Sequence, residues 1–130
     1  MNAESPMTGN QSQADKIQDR LVDLAIAIVH LAAHLPRNPA GRHVAAQILR
    51  SGTSPAPNYA EARGAESRAD FVHKLRVALK ELNETAIWFQ IIRKSRMSHL
   101  ELDGLIKETQ ELARILVSSI RTASRTTNDQ

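Results

Sequence analysis

Cysteine is absent from the sequence, and aromatic residues make up only 3% of it. The first absence excludes disulfides, thiolate metal sites and cysteine nucleophiles, and it fits a reducing cytoplasm. The second means that the core is built from Leu, Ile, Val and Ala, a composition that suits closely packed helices. No apolar run approaches the roughly 18 residues that span a bilayer, so no membrane partner is expected. The N-terminus is polar, with Glu4 early and no apolar stretch, which argues against a signal peptide. No segment alternates with period two for long enough to make a strand. No catalytic constellation is visible, so the chain reads as non-enzymatic and without a cofactor.

The length of 130 residues fits one domain, and 42% apolar and 24% charged residues are ordinary for a globular chain. The net charge is +3 and the pI about 9.7. Twelve of the seventeen basic residues are Arg. The guanidinium fork matches phosphate oxygens, so an anionic partner is admissible. Interspersed acids leave ordinary solubility charge as the other reading.

Residues 1–14 carry Pro6 and Gly9 and show no period, so a disordered tail is expected there. A first helix is predicted from about Asp15 to Leu35. Ile17, Leu21, Leu24, Ile28, Leu31 and Leu35 alternate spacings of four and three in one apolar seam. Val22, Ala25, Ile26, Val29 and Ala32 widen that stripe, and Pro36 stops the helix. A second helix opens near Gly41 or Arg42, with Val44, Ala45, Ile48 and Leu49 on its apolar face. The cluster Ser51-Gly52-Thr53-Ser54-Pro55-Ala56-Pro57 interrupts it, because each proline removes a backbone donor and crowds the preceding turn. Either the helix kinks here, or it ends and restarts with Ser54 as N-cap and Pro55 in the first turn. The second segment stops at Gly64.

Ser67, with Asp70 three residues on, starts a third helix in the manner of a capping box. Phe71, Leu75, Ala78, Leu82, Thr85, Phe89 and Ile92 form its unbroken seam. A second series, Lys74, Val77, Glu81, Glu84, Trp88 and Ile91, sits on a neighbouring face. That half-apolar stripe suits a subunit interface, or a broad face covered by helices of the same chain. Arg93-Lys94-Ser95-Arg96 is basic, as a helix C-terminus favours. A fourth helix is expected from Ser98, with Glu101 completing a capping box and Met97 and Leu102 as a hydrophobic staple. Leu102, Leu105, Thr109, Leu112 and Leu116 form its seam, and the polar tail from about Thr122 is expected to fray. The fold class is all-α: an antiparallel up-down-up-down four-helix bundle over residues 15–122, its second helix kinked or broken near Pro55. Residues 1–14 and 123–130 flank it as tails.

Gln47, Arg50-Ser51-Gly52-Thr53-Ser54, Asn58, Ala60-Glu61-Ala62, Ser67, Phe71, Lys74-Leu75, Ala78-Leu79-Lys80-Glu81, Asn83-Glu84-Thr85 and Trp88 form a dense motif. The motif resembles that of the four-helix-bundle family of 23S rRNA intervening-sequence proteins. Pro57 and Tyr59 depart from the family's usual residues there and bear on the local kink. The resemblance implies an antiparallel four-helix bundle that assembles with itself into a pentameric ring. A more distant likeness is to the accessory protein of diversity-generating retroelements, a basic pentameric barrel that engages a reverse transcriptase and nucleic acid. It implies binding of RNA, DNA or a ribonucleoprotein. A protein-interaction scaffold without nucleic-acid binding is the alternative.

Asn58, Glu61, Lys74, Lys80, Glu81, Glu84 and Trp88 are the candidate motif residues. Asn58 and Glu61 share a helical face, and Lys80 and Glu84 are spaced to pair. They read as a polar network that joins the second helix to the third, or one subunit to the next. A di-metal bundle site needs Glu-x-x-His pairs, and Glu81-Leu82-Asn83-Glu84 supplies no His. His30 and His34 have chelating spacing without an adjacent acid, so no metal is assigned. The hydroxyls of Ser51, Thr53 and Ser54 lack a base and fit turn chemistry. For nucleic acid the candidates are Arg37, Arg42, Arg93, Lys94 and Arg96, which lie on two loops that an up-down bundle brings to one end. Arg50, Arg63 and Arg68 are further cations in the pool.

Overall fold

Each predicted helix start is a place where a side chain can satisfy orphan amides. In the computed structural model, which describes residues 11–128, such caps form at Ser12, Asn38 and Ser67. Ser12 and Asp15 form a reciprocal capping box that starts α1, Gln13–Ala33, two residues before the sequence expectation. The expected tail over residues 1–14 therefore lies mostly outside the described residues. Asn38 Oδ1 accepts from the Gly41 amide at 2.8 Å and Pro39 occupies the first turn, so α2, Pro39–Thr53, opens earlier than Gly41. α3, Pro55–Arg63, and α4, Arg68–Ser95, follow, the latter capped by Ser67 at the Asp70 amide. α5, Asp103–Asn128, completes the chain.

The second helix bends rather than restarts. Ser54 keeps helical backbone angles, φ −80° and ψ −36°, and its side chain caps nothing. Its carbonyl still accepts from the Asn58 amide at 3.2 Å, as in an unbroken helix. The prolines delete donors without ending the turn. At the bend the helix also changes neighbours: α2 leans more on α1 and α3 more on α4. The four rods form the all-α bundle, with α2 and α3 together as its second member.

The fourth helix departs from expectation at both ends. Ser98 Oγ accepts from the Leu100 amide at 3.0 Å, and the Glu101 carboxylate from the Asp103 amide at 2.8 Å. Both reach only two residues, so they make turns, and the helix begins at Asp103 instead of Ser98. Arg96 sits in left-handed backbone, φ 59°, and closes α4. The extended loop lets Leu102 and Met97 pack on the core. Past Thr122 the chain stays helical to Asn128, because Ile120 and Ala123 are still buried.

The four-three seams are the core. Ile17, Leu21, Leu24, Ile28, Leu31 and Leu35 are buried, as are Leu75, Ala78, Leu82, Phe89 and Ile92. Burial of such side chains stabilises by about 1.5–3 kcal/mol each before entropy is counted. Ser51 and Thr85 are also fully buried: Thr85 Oγ1 donates to the Glu81 carbonyl at 2.8 Å and accepts from the Ser51 hydroxyl at 2.8 Å. No buried side-chain polar atom among the described residues lacks a partner.

Arg20 ties α1 to α5. Its guanidinium bonds Glu108 through two nitrogens at 2.8 and 2.7 Å and Glu111 at 2.6 Å. The Arg20 hydrogen bond holds the Glu108 carboxyl below its ordinary value, and burial only partly opposes it. A lowered folded pKa means that the pair stabilises the fold above the unfolded carboxylate value of about 4.3, and that this is lost as pH falls through the folded value. Arg20→Met is expected to flatten the acid side of the stability profile, read by urea unfolding from about pH 7 to 3. At neutral pH the cost is about 1 kcal/mol or less, since both side chains remain about one-third exposed.

Candidate functional site

The motif residues meet on the seam between the second and third rods. Helical spacing places Gln47 and Arg50 on one face of α2, and Glu81, Glu84 and Trp88 on the facing stripe of α4. Arg50 is the hub. Its guanidinium bonds Glu81 at 3.1 Å, Glu84 in a close contact, and Gln47 at 3.5 Å. Trp88 Nε1 donates to Glu84 at 3.1 Å, and the Trp88 ring meets His43 edge-on at 5.8 Å. One end further, Lys74 donates to Glu61 at 2.7 Å, which raises the Lys74 pKa and binds α3 to α4. Asn58 Nδ2 turns back on Ser54.

Within the second series of the third helix, Lys74, Glu81, Glu84 and Trp88 have partners in the chain, while Ile91 is 38% exposed. Lys80 forms no ion pair among the described residues, because Glu84 is taken by Arg50 instead of the predicted i, i+4 partner. Arg50 bonds both carboxylates, so the cluster clamps two helices, and among the described residues no group of three His, Cys, Asp or Glu is arranged for a metal. His34 Nδ1 lies 2.8 Å from the His30 carbonyl oxygen, so its ring folds onto its own helix.

The loop-end cations are placed differently. Arg37, Arg42, Lys94 and Arg96 are exposed and form no ion pair among the described residues. Arg93 is held by Asp103 at 3.1 Å. The antiparallel order brings the loop after α1 and the loop after α4 to the same end of the bundle.

One feature escaped the sequence reading. Val22, Ile26 and Val29, read as a widening of the core stripe, are 41, 49 and 46% exposed. Their spacing of four and three makes a second, outward apolar stripe on α1. The signal was their position off the main seam, but periodicity does not say which of two stripes faces in.

The family model for the 23S rRNA-intervening sequence protein matches residues 13–118, from the first capped turn to beyond the middle of α5. The chain belongs to the 23S rRNA-intervening sequence protein family. The matched span holds all of the Arg50 clamp and both loop-end basic segments. A crystal structure of a protein of unknown function from the S23 ribosomal protein family, from Bacteroides thetaiotaomicron VPI-5482, is similar at 34% identity and a TM-score of 0.76. The similarity covers 85% of this chain and 99% of that one. No curated protein matches the sequence. Within the 23S rRNA-intervening sequence protein family, then, this chain is a four-helix bundle with a clamped second-to-third rod and an open basic end.

Proposed function

We propose that the chain is a non-enzymatic, self-assembling helical-bundle module that binds structured nucleic acid or a ribonucleoprotein. The observation that carries this reading is the unpaired set Arg37, Arg42, Lys94 and Arg96 at one end of the bundle. Cations not engaged in ion pairs are free to displace counterions from a phosphate backbone. The outward stripe Val22-Ile26-Val29 supports assembly, since three branched apolar side chains in a row lose free energy to water. In a ring, each copy would contribute its basic end, and weak contacts would add to one avid surface.

The test is titration of a labelled RNA hairpin with the protein at several salt concentrations. Micromolar binding with a steep salt slope is expected. Arg37→Gln/Arg42→Gln/Lys94→Gln/Arg96→Gln should weaken it on the order of 10²-fold or more near 0.1 M salt. Unchanged binding in that variant removes the basic end from the function. No binding at low salt moves the weight to a protein-interaction scaffold.

A further inference from the structure

The acids of α4 and α5 are not spread evenly around their helices. Glu81 and Glu84 turn toward Arg50 on α2, and Glu108 and Glu111 toward Arg20 on α1. Both pairs are thereby drawn to the sides away from the α4–α5 junction. Residues 71–80 and 112–128 contain no acid at all. Asp103, at the start of α5, spans the junction to Arg93 of α4 at 3.1 Å; beyond that pair, what remains on the α4–α5 side is basic. Arg76, Lys80, Lys107, Arg114 and Arg121 are exposed and form no ion pair among the described residues.

Their spacing is regular. Lys107, Arg114 and Arg121 recur every seven residues, two helical turns, so they share one stripe of α5. On α4, Arg76 lies seven residues before Asn83, and Lys80 is followed at sevens by Ile87 and Lys94. Between the two rows runs a cleft of about 400 Å³ with Asn83, Gln110 and Arg114 at its rim and Leu79, Ala86 and Ala113 along its floor. Lys94 joins this side to the loop end.

We propose that the α4–α5 side is a track for the backbone of a nucleic-acid duplex, a statement that rests on the nucleic-acid reading above. Lys107, Arg114 and Arg121 stand about 10 Å apart along α5, and Arg125, exposed one turn further on, extends the row to about 27 Å. That is the axial length of about eight base pairs at 3.4 Å each. A row of positive charges that recurs every one to two helical turns suits a polymer of repeating phosphates better than the irregular carboxylates of a folded acidic protein. Single strands are disfavoured because the track has no stacking platform. Tyr59 and Phe89 are buried, Phe71 packs on the core, and Trp88 faces α2 through His43. The duplex would be held by its shape and charge, with no base-specific reading.

The test compares wild type with Lys107→Gln/Arg114→Gln/Arg121→Gln on RNA and DNA duplexes of about 16 base pairs, twice the track length. All three positions are exposed, so an unchanged thermal melt is expected and serves as the folding control. The triple variant should bind on the order of 10²-fold more weakly near 0.1 M salt, with a salt slope shallower by about 2–3. Arg114→Lys/Arg121→Lys, which keeps the charges, should bind within a few-fold of wild type. Wild-type affinity in the triple variant, while wild type itself binds, overturns the track and leaves the nucleic-acid reading standing. No binding by wild type at low salt overturns both. Displacement of the duplex by poly-glutamate of equal charge at equal concentration overturns the track in favour of an acidic protein partner. Preference between the RNA and DNA duplexes identifies which polymer the track carries.

Discussion

Gly41→Ala is expected to lower the unfolding free energy by about 2–3 kcal/mol, at the upper end of overpacking costs. On propensity alone the sign would be opposite, since alanine in a helix is favoured over glycine by about 1 kcal/mol. A Cβ at Gly41, however, would fall on the carbonyl oxygen and carbon of Pro36, which are backbone and cannot rotate away. The whole turn between α1 and α2 would have to move, together with the Asn38 cap that the Gly41 amide completes. Gly52 shows the milder case. Its added Cβ would meet the end of the Ile28 side chain, buried but rotatable, so Gly52→Ala should cost less, and Ile28→Val in the same chain should recover part of the loss. Nothing lies near Gly104, where alanine should stabilise. Urea unfolding of the three alanine variants orders them; equal behaviour of Gly41 and Gly104 would contradict the close approach at Pro36.

Ile26→Glu is expected to convert the proposed assembly into a folded monomer. Ile26 is half exposed in the single chain, so a carboxylate there meets water and leaves the monomer stable. Buried between copies, the same charge would have no partner, and desolvating it costs several kcal/mol per site. Sedimentation would read the change as a drop in mass with unchanged helicity. A mass identical to wild type would take the Val22-Ile26-Val29 stripe out of any interface. Trp88→Ala is the contrasting variant. Trp88 is tied to Glu84 and His43 of its own chain, so its loss should lower stability without yielding a folded monomer.

Legibility of the fold in the sequence followed the strength of each physical signal. The four-three seams of Ile17 to Leu35 and Phe71 to Ile92 were unambiguous, and every seam position from Leu75 to Ile92 is buried. Boundaries carried by single side chains were less secure. Ser98 and Glu101 have the spacing of a capping box, yet each bonds an amide two residues on, a choice made by the packing of Leu102. The left-handed turn at Arg96 has no glycine to announce it. For the motif, spacing placed Glu81, Glu84 and Trp88 on one stripe but did not say what meets it; within the chain, one Arg50 guanidinium reaches both carboxylates. Which acids are used up by Arg20 and Arg50, and hence which cations are left over, depends on pairs distant in sequence, and a linear reading has no access to it.

The bend at Ser54 has a bearing on how the molecule comes apart. With two amide donors missing at its middle, the second rod has its fewest backbone bonds where its two halves lean on different partners. Cooperative opening follows such seams. The bundle is in that sense two hairpins sharing one rod: α1 with α2, and α3 with the α4–α5 pair, joined by a flexure whose stiffness is set by Ser51, Gly52 and Thr85 packed beside it.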